Sequence, residues 1–136
     1  MEFEGINYLA VVVAAVVSFL IGWPWYMTFG KTWARAVGKD PDNPPKPQPG
    51  PFVVLGISLL LMAYVLAGLV GHLGAGQVTM KNGIISGLFV WVGFVVTTML
   101  VNYTFQGRKL VLTLIDGGHF LIVLVVMGAI IGWFGA

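Results

Sequence analysis

An all-α integral membrane protein is the fold class this sequence predicts, with four transmembrane helices in a compact bundle and a short interfacial amphipathic helix in the first loop. Three observations carry that reading. Hydrophobic residues make up 58% of the 136 residues and charged ones only 9%, more apolar surface than a soluble domain of this size could hide. Runs at 6–26, 52–73, 84–105 and 110–134 each reach the roughly 20 residues that cross about 30 Å of hydrocarbon. Asp116 is the one acid inside any of these runs, since the other charges lie near the N-terminus or between runs. The length allows a single domain over 1–136. A formal charge of +2, concentrated in loops, argues against nucleic acid. With no cysteine there is no disulfide, thiolate metal site or thiol nucleophile.

The first run opens on Glu2 and Glu4 and closes on Trp23-Pro-Trp-Tyr26, without the basic start and small-residue exit of a cleaved signal, so it is expected to stay as helix 1. Pro24 in its last turn can end or bend it. The aromatic cluster Trp23, Trp25, Tyr26, Phe29 and Trp33 predicts an interfacial belt, where amphipathic rings collect. Residues 28–38 read as a short helix lying in the interface, with Phe29 and Trp33 on one side and Lys31 and Arg35 on the other. Residues 39–51 hold six of the seven prolines and predict an extended spacer rather than helix.

Small residues recur every fourth position in each run: Ala10, Ala14, Ser18 and Gly22; Ala63, Ala67, Gly71 and Ala75; Gly83 and Gly87; Gly128, Gly132 and Ala136. Such stripes let helix backbones approach closely in lipid, and they predict tight packing within one bundle or between subunits. Trp91, a third of the way into the third run, is expected to pack between helices. The partners implied are the lipid bilayer, and either a second copy of the chain in a homo-oligomer or another membrane protein.

Charge sets the orientation. Lys31, Arg35, Lys39, Lys46, Arg108 and Lys109 fall in loops 1 and 3, while Lys81 stands alone on the other side with Glu2 and Glu4. Positive-inside counting then places loops 1 and 3 in the cytoplasm and both termini outside, in a multi-pass protein of the cell membrane.

The stretch 102–119 carries the chemistry. Asp116 lies about seven residues past the basic turn, roughly 10 Å into the membrane at about 1.5 Å per residue. An ionised Asp at that depth costs about 2.5–3.5 kcal/mol on insertion scales, so it should face protein or water. His119 is three residues on, on the same helix face. A simple hairpin through Gly107 puts Asp116 level with Thr98 and Met99, with Asn102 nearer the basic end. Three readings follow: a structural ion pair of Asp116 with Lys31, Arg35 or Arg108; a proton or small-solute binding site of Asp116, His119, Asn102 and Thr98; or catalysis or metal binding by the Asp–His pair. One Asp and one His are too few for a metal site. No catalytic residues and no cofactor are expected, because no serine has an activating neighbour and no phosphate loop is present.

There is also an internal echo. Tyr26-Met-Thr-Phe-Gly-Lys31 closes the first run and Tyr103-Thr-Phe-Gln-Gly-Arg108 closes the third, as two duplicated hairpins would. Together with Trp25–Trp33, these motifs and Leu114-Ile-Asp-Gly-Gly-His119 resemble a small bacterial membrane-protein family, domain of unknown function 1761. The resemblance spans nearly the whole chain and implies a four-helix architecture without implying a mechanism. The best reading of the sequence is a non-enzymatic membrane protein that binds or passes a small solute or proton near Asp116 and His119. A non-catalytic accessory subunit packing through its small-residue stripes is the alternative.

Overall fold

The computed structural model describes residues 6–136 and is all helical among them, so Glu2 and Glu4 lie outside the described residues. Helix α1 is Tyr8–Ala36, α2 is Pro49–Gly71, α3 is Met80–Val90, α4 is Val96–Phe105 and α5 is Leu110–Phe134. A π-helical turn, Trp91–Val95, joins α3 to α4, so Met80–Phe105 forms one continuous span. Four helices are therefore long and apolar enough to cross a membrane.

Local chemistry explains the starts. The Asn7 side chain accepts the Ala10 N–H at 3.1 Å and Thr79 accepts that of Asn82 at 3.2 Å, each satisfying an orphan donor of a first turn. Helix α2 begins inside the proline-rich segment, at Pro49 and not near residue 52. Proline is barred from helix interiors but suits the first turn, where its missing N–H is not needed. Residues 37–48 stay outside any helix before it, with turns at 37–38 and 41–42.

The separate interfacial helix expected at 28–38 is instead the continuation of α1, which runs unbroken through Pro24 for 29 residues. The Thr28 hydroxyl donates to the Pro24 carbonyl at 2.8 Å, one turn back along the same helix. The α4–α5 turn closes on Gly107, whose φ of 70° suits glycine.

Helix α5 is the hub. It packs against every other element, whereas α1 meets only α2 and α5. It is also the most buried, carrying Leu112, Ile115, Asp116, His119, Val123, Leu124, Met127 and Ile131 inward. Where α3 crosses α5 the contact is backbone on backbone. A Cβ on Gly83 or Gly128 would strike the other glycine's carbonyl, and one on Gly132 would strike Thr79. A Cβ on Gly87 would meet the Leu124 carbonyl. Glycine is required there because only a missing side chain lets two helices approach so closely. Ala10, Ala14, Ala63 and Ala67 also sit in the core, but α2 ends at Gly71, so Ala75 is no part of that stripe.

The π turn interrupts the regular ladder of the third span. Its wide turn runs from the Val96 N–H back to the Trp91 carbonyl. Thr97 and Thr98 donate their hydroxyls to the Gly93 and Phe94 carbonyls at 2.9 and 2.6 Å. Hydroxyl capping of this kind satisfies backbone groups in a setting where lipid cannot. The extra residue rotates all of α4 by about 100° relative to an uninterrupted α-helix.

The glycine crossing is open to a direct test. Gly128→Ala should lower stability by about 1–3 kcal/mol, the usual cost of overpacking a filled site, in reversible unfolding in detergent. Gly56→Ala, at a position with open space around it, should leave stability unchanged or slightly raised.

Candidate functional site

Asp116 sits one and a half turns into α5, buried to 9% exposure, and both its oxygens are taken. The Tyr26 hydroxyl donates to Oδ1 and the Tyr103 hydroxyl to Oδ2, each at 2.6 Å. That is the length of an O–H donor on a carboxylate oxygen. Two phenols from α1 and α4 thus grip one carboxylate from opposite sides.

Two indoles frame the same turn. Trp25 Nε1 donates to the Ile115 carbonyl at 2.9 Å and Trp91 Nε1 to the Gly117 carbonyl at 2.7 Å. Gly118 makes room for the first, since a Cβ there would lie 2.9 Å from the Trp25 ring. The echo in the sequence acquires a geometric counterpart, because its matched tyrosines, Tyr26 and Tyr103, make matched bonds to one acid.

Deeper along the α1–α5 seam the two helices run antiparallel, with Tyr26 opposite Asp116 and Gly22 opposite His119. A Cβ on Gly22 would stand 3.4 Å from His119 Nε2. His119 is 3% exposed, its ring lies 5.2 Å from that of Tyr26, and neither ring nitrogen has a hydrogen-bond partner among the described residues. Ser18, one turn further along α1 and fully buried, has an equally unpartnered hydroxyl. Leaving such a buried group unsatisfied costs about 1–3 kcal/mol.

The sequence-based site is redrawn in part. Asp116 and His119 are brought together as expected. Thr98 and Asn102 are not: both are exposed, and the Thr98 hydroxyl is spent on Phe94. The π turn is the reason, since its rotation turns Met99 and Tyr103 toward α5 in their place. The ion-pair reading fails as well. Lys31 lies 3.9 Å from Asp42 at the surface, Arg108 donates to the Val37 carbonyl at 3.4 Å, and Arg35 is exposed, so Asp116 has phenols where a cation was expected. Trp23 is 71% exposed on the outer side of α1. Trp33 packs edge-on to Tyr26 with Lys39 over its ring. Trp25 and Tyr26, about 100° and more around the helix from their exposed neighbours, point into the bundle. The signal that could have found Tyr103 was the echo itself, which pairs it with Tyr26.

No group of three or more metal-ligating side chains occurs among the described residues. A cavity of about 660 Å³ opens at the other end of the bundle, lined in part by Ala10, Ala67, His72 and Ile131. It is roughly 22 Å from Asp116 along α5 at about 1.5 Å per residue.

The phenol grip predicts a ranked mutant series. Tyr26→Phe and Tyr103→Phe should each cost about 1–3 kcal/mol, because each strips a donor from a buried carboxylate. Adding Asp116→Leu to the double tyrosine variant should restore part of the loss, since no acceptor then remains to be stranded. Chemical unfolding in detergent micelles reads both effects.

The family model described as a protein of unknown function (DUF1761) matches residues 9–132. No curated protein and no solved structure matches the chain.

Proposed function

The chain belongs to the DUF1761 family, and from that premise we propose that it binds a proton or small polar solute at Asp116 and His119, without catalysing a reaction. One observation supports this reading above others. His119 is an imidazole with both nitrogens buried and without a hydrogen-bond partner among the described residues, three residues from a buried carboxylate on the same face of α5. Ionisable groups inside the membrane are costly, and they mark solute or proton sites more often than they serve as fillers. Histidine is also the side chain whose ordinary titration range is closest to physiological pH.

Passage is gated rather than open. Beyond Ser18 the route along α5 toward the far cavity meets Ala14, Val123 and Met127, all fully buried. That apolar plug would have to part for anything to cross. The basic end, with Arg108 tied to Val37, is taken to face the cytoplasm of the cell membrane by the positive-inside rule. A second copy of the chain is the proposed partner, because one bundle of four helices leaves little interior room.

A second reading also has an observation behind it. Both Asp116 oxygens already hold protein donors, as they would in an accessory subunit that uses the acid only to lock three helices together. Proteoliposome flux separates the two. With a pH-sensitive dye inside and an imposed pH gradient, the native chain should give flux that Asp116→Asn and His119→Phe each reduce at least ~10-fold, equivalent to about 1.4 kcal/mol. Absence of flux from the native chain, with both substitutions altering only unfolding, would establish the accessory reading.

A further inference from the structure

The third span joins two unlike halves. Helix α3 is pressed backbone to backbone on α5 through Gly83 and Gly87. Helix α4 has no buried residue and touches α5 through side chains, Tyr103 on Asp116 foremost. The π turn lies between them. Counting about 100° per residue from Gly87, an uninterrupted α-helix would direct Thr98 and Asn102 toward α5. The π turn's extra residue substitutes Met99 and Tyr103 at those same angular positions. Asn102 consequently lies exposed, an amide on the outer face of an apolar span.

We propose that the third span is a register switch: closing the π turn into α-helix swings Tyr103 off Asp116 and puts Asn102 in its place. This rests on the reading of Asp116 as a binding site and supplies its regulation. The exchange is unequal in size. A phenol that reaches and fills the gap beside Asp116 gives way to an amide shorter by most of a ring. The carboxylate loses one donor and gains space on the side nearest the basic turn, only one turn from the end of α4. In the register described here the site is closed at that mouth; in the other it is open to water.

Closing the π turn replaces its wide hydrogen bonds with ordinary ones, and the Thr97 and Thr98 hydroxyls keep the Gly93 and Phe94 carbonyls, four residues back, that an α-helix also lets them hold. Against that stands the loss of the Tyr103–Asp116 bond. Two-state elements of this kind hold their minor form at about 0.1–10% of the population. Helix α3 does not need to move, because its glycines fix it to α5.

The test uses the full chain in lipid nanodiscs, biosynthetically labelled with 3-fluorotyrosine at its 4 tyrosines, with the Tyr103 ¹⁹F signal assigned by its loss in Tyr103→Phe. Deleting Gly93 lets the span close into α-helix with Tyr103 still at its present angle from Gly87, so it should lock the Tyr103 signal in its buried position and abolish the minor signal, broadened by paramagnetic relaxation agents in water or lipid, that the native chain shows in exchange. Asn102→Leu, which keeps the chain length and removes the amide that takes the place of Tyr103, should deplete the same minor signal and serves if the deletion does not assemble. The Tyr26 signal, on α1, reports whether the bundle is intact. A native chain without a minor exposed Tyr103 population, or one whose minor population persists unchanged in both variants, overturns the switch. Flux measured on the same samples keeps the two ideas apart. A minor population depleted as stated, without Asp116-dependent flux, retains the switch and rejects the binding reading, and flux without that population does the reverse.

Discussion

A carboxylate in hydrocarbon must be given hydrogen-bond donors, and the arrangement of this bundle follows from how Asp116 obtains them. The donors are neutral and come from two helices that do not touch each other. Phenols satisfy the acid without bringing a second charge into the membrane, avoiding the desolvation of a cation. They also make α5 the meeting point of α1 and α4. The indoles of Trp25 and Trp91 reinforce the same turn by donating to backbone carbonyls on either side of it. Four aromatic side chains thus converge on three consecutive residues of α5.

Tight glycine packing serves that convergence from a distance. The α3–α5 crossing fixes the height and rotation of α3, and through Trp91 it sets where the π turn begins. From there the extra residue decides which side of α4 faces the acid. The grip on Asp116 therefore depends on glycines about four to six turns of chain from Tyr103, and the link between them is geometric.

Much of the architecture was legible in the sequence because it depends on composition and spacing. Run length gave the four spans, with the last, 110–134, placed at its observed bounds. The stripes at Gly83, Gly87, Gly128 and Gly132 foretold close contact. Asp116 and His119 were legible because an acid and an imidazole stand out in an apolar run. Their partners were not. Reading the third span as a regular α-helix points to Thr98 and Asn102, and a single inserted residue in the helical ladder leaves no mark in hydropathy. The cluster 23–26 misled for a different reason: composition cannot say that successive aromatics on a helix face different ways, so Trp23 could be separated from Trp25 and Tyr26 only by geometry. The break expected near Pro24 failed because a proline kinks or ends a helix only when its lost hydrogen bond matters more than the packing on either side.

The unbroken length of α1 has a mechanical consequence. At about 1.5 Å per residue its 29 residues make a rod of roughly 43 Å, longer than the hydrocarbon of an ordinary bilayer. It continues ten residues beyond Tyr26, ending in a stretch that holds Lys31 and Arg35. The excess is that charged end, stiffly joined to the apolar stretch, while tilt is set by packing against neighbouring helices. Because Tyr26 is carried on that rod, a load on its projecting end moves the phenol relative to Asp116. Contact at the basic surface is thereby coupled to the geometry of a buried acid through a single stiff lever.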